Sequence, residues 1–171
     1  MTQENERGEP ASEEGMSPIL VLRERVTRMT GAMVVPCKGV SKPWVQQRCA
    51  KWIDALGNNK AILRVDNENP IKALAREVKG CREPGSSTVT DDNPATYESN
   101  ENSTVEKAVD VVKGMVRTLK DALERRLRGK IEPEDNILKW LVEHSADVLT
   151  KCAIGSDGRT SCERIKQKKY H

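Results

Sequence analysis

The sequence predicts a mixed α/β fold, a partly parallel sheet flanked by helices, and three observations lead there. Apolar runs of strand length stand at Ile19–Arg25, Gly31–Pro36 and Ala61–Val65. Other stretches place apolar residues at helical spacing, the longest from Val105 to Leu127. The order of these signals is strand, strand, helix, strand, helix, loop, helix, helix. Strand–helix–strand units of that kind demand some parallel pairing with helices laid over the sheet.

Taken in order, residues 1–16 are polar, Glu-rich and without periodicity, which predicts a disordered lead-in. Ser17-Pro18 opens the first strand, and Gly31–Pro36 is its hairpin partner around a turn at Thr27–Thr30. Pro43 suits a first helical turn, and Val45, Cys49, Trp52, Ile53 and Leu56 recur at helical spacing up to Gly57. Ala61–Val65 is too short for a helix and β-branched enough for a buried strand. Pro70 then leads Ile71, Leu74, Ala75 and Val78 to Gly80. Residues 81–102 are rich in Gly, Ser, Thr, Asp, Asn and Pro and read as a long loop, with a brief strand near Thr88–Thr90. A long helix over 103–128 follows, its stripe formed by Val105, Ala108, Val109, Val112, Val116, Leu119, Leu123 and Leu127. Gly129 ends it, and a second helix over 134–152 turns Ile137, Leu138, Leu141, Val148 and Leu149 inward. The residues after 155 form a basic surface arm ending in Arg164, Lys166, Lys168 and Lys169. No internal repeat is visible.

Composition narrows the function classes. The chain of 171 residues is long enough for one core, and with no Phe and 3% aromatic residues that core is aliphatic. A formal charge of +3 names no partner by itself. The five cysteines lack any C-x-x-C pair and the two histidines cannot build a four-ligand zinc module, so reduced thiols in an intracellular protein, nuclear or cytoplasmic, are expected. The cysteines read as small buried hydrophobes. No run approaches the roughly 20 apolar residues of a membrane span, and the acidic start does not resemble a signal peptide.

Two carboxylates carry the chemistry. Asp66 ends the Ala61–Val65 strand, and Glu106 opens the long helix. Acidic groups at the ends of neighbouring elements in an α/β layer can share divalent metal ions, and paired metals hold the attacking and leaving oxygens of an in-line displacement at phosphorus. Lys113, Arg117 and Lys120 follow down the same helix, where a nucleic-acid backbone would want positive charge. Plainer roles exist for each group. Asp66 could cap the next helix, Glu106 could complement a helix dipole, and Asp110 has the spacing of a solvated face. Asp91 and Asp92 sit in the loop, a poorly preorganised place for metal ligands. His144 reads as a helix-packing residue.

From Ser17 to Lys169 the chain resembles the integrase core of retrotransposon and retroviral polyproteins, a ribonuclease-H-like fold. The resemblance rests on Asp66-Asn67-Glu68, on Asn102-Ser-Thr-Val-Glu106, on Gly31–Gly39, on Leu138–Ala146 and on Asp157–Arg164, five short motifs in the family's order. It implies a ribonuclease-H-like mixed sheet over 17–155, with Asp66 and Glu106 as catalytic metal ligands. It also implies Asn102, Lys113, Arg117 and Lys120 as DNA contacts. Two Mg2+ or Mn2+ ions would serve the complete family site, and DNA, as element ends and target, would be the substrate. The family also acts as multimers. Two departures stand out. Ser103 replaces the family's Gly at the loop–helix junction. The family's first strand, which carries a third catalytic Asp, is missing, and residues 1–16 contain no Asp. The expectation is DNA 3′-end processing and strand transfer in the family, impaired in this chain. The alternatives are a non-catalytic nucleic-acid-binding module and a metal-dependent nuclease of the same fold.

Overall fold

The computed structural model describes residues 17–40, 42–65, 68–91 and 99–169, with the backbone alone at 90–91 and 99–103. The expected lead-in over 1–16 lies outside these residues. The element order is β1 (Ile19–Arg23), β2 (Thr30–Val34), α1 (Pro43–Asp54), β3 (Lys60–Arg64), α2 (Asn69–Gly80), β4 (Ser87–Asp91), α3 (Ser99–Leu127), α4 (Asn136–Cys152) and α5 (Ser161–Lys166). The fold is therefore mixed α/β.

β1 and β2 pair antiparallel, Ile19 opposite Val34 and Arg23 opposite Thr30. Their turn closes earlier than expected, and Glu24 is the reason. Its N–H donates to the Met29 carbonyl at 2.9 Å, while its carboxylate accepts from the Val26 N–H at 2.9 Å and from Thr27. Thr30 is thereby released to open β2. Trp52 of α1 lies flat over Gly31, where a Cβ would come within 2.6 Å of the indole nitrogen. Only glycine leaves β2 room for that ring.

β3 and β4 pair parallel, Lys60 opposite Ser87 and Arg64 opposite Asp91, with α2 as the crossover. The long loop expected over 81–102 is thus corrected at both ends. The brief strand near Thr88–Thr90 is a full strand from Ser87, favoured by three consecutive β-branched residues. α3 begins at Ser99 rather than 103, one turn earlier than expected. α4 begins at Asn136 rather than 134, because the Asp135 carboxylate accepts the Glu132 N–H at 2.8 Å and holds a turn there.

One apolar cluster joins Met33, Val35, Val45, Cys49, Ala50, Ile53, Leu74 and Val78, with Leu20, Leu22, Ala61 and Leu63 against it. It places α1 and α2 under both strand pairs. A second cluster joins Ala32, Val112, Val142, Ala146 and Leu149, with Val21, Val34, Met115 and Val116 against it. That cluster lays α3 and α4 over the opposite face of the β1–β2 hairpin alone. On the expected α3 stripe, Ala108 and Val112 are buried while Val105 and Leu127 are exposed, because the helix overhangs the hairpin at both ends. The strands form two separate two-stranded sheets rather than the one mixed sheet expected.

The C-terminal region is tied back to the hairpin. Thr160 and Glu163 form a capping box at the start of α5. Arg164 donates to the Asp157 carboxylate at 3.0 Å and to the Thr27 carbonyl at 2.9 Å. Ser161 and Cys162 are buried, although 156–171 was expected to be a surface arm. Among the described residues no helix is long and apolar enough to cross a membrane.

Candidate functional site

The parallel β3–β4 pair, joined by the α2 crossover, ends its first strand at Arg64, and the carboxyl ends of such strands are where open α/β sheets hold ligands. Asp66 itself, the first carboxylate expected, lies outside the described residues, as does Asp92. The neighbouring Glu68 is described, and it pairs with Lys38 at 3.0 Å across the loop after β2. That pair is open to solvent and contributes little by itself. Asp91 ends β4, the strand parallel to β3, and its side chain is not described.

Glu106 is exposed on α3. Because the helix opens at Ser99, Glu106 stands two turns in, beyond the reach of the helix dipole's positive end. The dipole explanation for an acidic residue there loses its force. At 100° per residue, Glu106, Asp110, Lys113, Arg117 and Lys120 fall on one face, acidic toward the amino end and basic toward the carboxyl end. Asp110, Lys113 and Arg117 are exposed. Lys120 is not similarly available, since its ammonium donates to Glu124 at 2.8 Å and Glu124 also accepts the Ile131 N–H at 2.8 Å. That bond set holds Glu124 below the usual carboxylate range and closes the end of α3. Lys120 therefore serves the helix end, while Lys113 and Arg117 face solvent. Asn102 is within α3, and its side chain is not described.

The described residues do not gather the expected site residues into one constellation. Among them no group of three or more His, Cys, Asp or Glu is placed to hold a metal ion. Glu106 alone of the two expected metal ligands can be located, so no chemical step is derived through a metal here. His144 is half-buried and stacks on the exposed Trp140 one turn earlier on the same helix, ring centroids 4.5 Å apart. The cysteines divide. Cys49 and Cys162 are buried, but Cys37, Cys81 and Cys152 are exposed, so the expectation of buried thiols is corrected for those three. They fall on a loop, just after α2 and in the last turn of α4, where apolar character secures no core position. Burial pushes the Cys49 thiol up to about 11, which makes it unreactive at neutral pH.

One polar feature had no clear signal in the sequence. Arg82 is buried after α2 and donates to Asp54 at 2.8 Å, to the Thr88 hydroxyl at 2.9 Å and to the Asn58 carbonyl at 2.9 Å. A cavity of about 290 Å³ lined by Asp54, Asn58, Arg82 and Ser86 opens beside it. It lies at the amino ends of β3 and β4, opposite the carboxyl end of that pair. With its donors occupied, Arg82 clamps the end of α1 to β4. The only available cue was an isolated Arg just beyond a helix end.

No protein-family model and no curated protein matches this chain.

Proposed function

We propose that this chain is an integrase-type core domain of a retroelement, its family activity being metal-dependent DNA 3′-end processing and strand transfer, with impaired activity in this chain. The observation that supports it best is the parallel βαβ unit β3–α2–β4, whose first strand ends at Arg64, shortly before Asp66 in the sequence. Open α/β sheets hold ligands at the carboxyl ends of their strands. Glu106, two turns into α3, is an exposed carboxylate on a helix that also presents Lys113 and Arg117.

In this reading Asp66 and Glu106 are the Mg2+ or Mn2+ ligands, and DNA is the partner. The metal ions would supply charge stabilisation at the phosphoryl oxygens. Lys113 and Arg117 neutralise phosphates, which predicts a log–log salt slope for DNA binding near −1.8, from about −0.9 for each contact. A ribonuclease-H-like sheet and action as a homo-oligomer belong to the same proposal.

The test is DNA nicking and end joining by the full chain in Mn2+, with metal binding followed by calorimetry. The reading predicts weak metal binding, lost in Asp66→Asn and in Glu106→Gln, with trace nicking at most. Tight binding that survives both substitutions would overturn the site assignment. Metal-independent DNA binding without nicking would favour the non-catalytic module, and indiscriminate robust nicking would favour the nuclease.

A further inference from the structure

The turn of the β1–β2 hairpin and the α5 region carry positive charge that the fold leaves uncompensated. Residues 23–28 and 157–169 hold eight Arg and Lys side chains against three carboxylates, Glu24, Asp157 and Glu163. That surplus of five exceeds the formal charge of +3 on the whole chain, so the charge is concentrated here. All three carboxylates are committed to local structure. Glu24 accepts from the Val26 N–H at 2.9 Å and from Thr27, which closes the turn. Glu163 accepts the Thr160 N–H at 2.7 Å in the capping box of α5. Asp157 accepts from Arg164 at 3.0 Å and from the Arg159 N–H at 3.2 Å.

The arginines of the two segments meet at one stretch of backbone. Arg23 donates to the Thr30 hydroxyl, and that hydroxyl donates to the Arg28 carbonyl at 3.3 Å. Arg164 donates to the carbonyl of Thr27, the residue before Arg28, at 2.9 Å. The two guanidiniums have different tasks. Arg164 spends its other nitrogens on the Asp157 carboxylate and on the Arg159 carbonyl, and so braces the turn against the C-terminal region. Arg23 is half-buried, and among the described residues its one hydrogen-bond partner is the Thr30 hydroxyl. Burial first, then the positive charges of Arg28 and Arg164, hold its guanidinium below the usual value. A half-buried cation beside two others, with no carboxylate paired to it, is a costly arrangement that an anion among them would relieve. Arg28 is exposed.

The chemistry favours phosphate over carboxylate. One guanidinium fork satisfies both oxygens of a carboxylate. A tetrahedral phosphate turns its oxygens in several directions and can accept from two guanidiniums that approach from different places. The surroundings favour a polymer of phosphates over a single ion. Arg159, Lys166, Lys168 and Lys169 are also exposed on the C-terminal segment, where successive backbone phosphates would answer them.

We propose that the hairpin turn and α5 form a binding site for the phosphate backbone of a nucleic acid, with Arg23 and Arg28 gripping one phosphate and Arg164 holding the turn in place. The inference deepens the proposed function and rests on its nucleic-acid partner, while placing the contact on elements other than α3.

The experiment is fluorescence anisotropy of a short labelled DNA duplex with the full chain, over a range of salt. Arg28→Gly keeps a backbone that accepts the observed φ of 60°. Arg23→Gln keeps a donor for Thr30. Each should weaken duplex binding about threefold to tenfold and make the log–log salt slope shallower by about 0.9. The native slope should be steeper than the value of about −1.8 that Lys113 and Arg117 alone predict. Full affinity and an unchanged slope in Arg28→Gly would overturn the site, and that variant stays informative even where Arg23→Gln disturbs the hairpin. Two competitors at matched ionic strength check the ligand. A polyglutamate peptide that displaces the duplex as well as unlabelled duplex does would overturn it in favour of an acidic polypeptide. Inorganic phosphate that binds as tightly as the duplex would overturn it in favour of a lone anion. Loss of binding in Lys113→Gln with none in Arg28→Gly removes this site and leaves the proposed function standing. Loss in Arg28→Gly with none in Lys113→Gln upholds this site and counts against the α3 contacts.

Discussion

The β1–β2 hairpin and the β3–β4 pair are the same size and differ in what covers them. The hairpin is enclosed by α1 and α2 on one face and by α3 and α4 on the other. The β3–β4 pair rests on the α1–α2 side, while Ile62 and Val89, opposite each other in register, are 71% and 57% exposed on its other face. Stability is thus concentrated in the hairpin and its helices. The β3–β4 pair carries the position proposed for chemistry, and low local stability is common where ligands bind.

Substitutions can break or sharpen this contrast, and Leu149→Ala should have the largest effect. It empties a buried place between α4 and the hairpin, and chemical denaturation should show a loss of about 2–5 kcal/mol. Thr150→Val comes next. It leaves the outward N–H and C=O of Thr30 buried without partners, for an expected loss of about 1–3 kcal/mol. The tie between α5 and the hairpin turn gives a smaller, pH-dependent effect. The Arg164 guanidinium, with help from the Arg159 N–H, holds the Asp157 carboxyl well below the usual carboxylate range. A carboxyl lowered on folding stabilises above its unfolded value and loses that effect as pH falls. The gap in thermal midpoint between the native chain and Asp157→Asn should therefore be steady above about pH 5 and close below about pH 4. The smallest effect belongs to the bare face. Ile62→Ala and Val89→Ala should each change stability by no more than about 0.5 kcal/mol. A loss near that of Leu149→Ala would show that the face is covered in solution.

Legibility in the sequence divides along the same line. The hairpin, α1, α2 and α4 were readable because alternation or helical spacing coincided with burial, as at Leu20, Leu22, Val45, Cys49, Ile53, Leu74 and Leu141. β4 was readable only as a brief strand, since Ser87, Thr88 and Thr90 are polar and the strand is held by pairing with the distant β3 and by Arg82, which donates to the Thr88 hydroxyl. The start of α3 was misplaced because Ser99 and Asn102 both look like caps. Of the site, the sequence indicated the strand that ends at Arg64 and a helix carrying Lys113 and Arg117, both exposed, while Asp66 lies outside the described residues. It gave no sign that Lys120 is engaged by Glu124, an i,i+4 pair that reads like any other on a helix surface. Nor could it reveal that the strands divide into two sheets, which depends on which edges meet rather than on any local pattern.

The central claim is that stability is concentrated in the β1–β2 hairpin and its helices, and amide exchange of the full chain tests it most directly. The account predicts that the Leu20 and Leu22 amides, bonded to β2 between two helical layers, exchange about tenfold or more slowly than the Ala61 and Leu63 amides bonded to β4. Equal protection of the two pairs would contradict it.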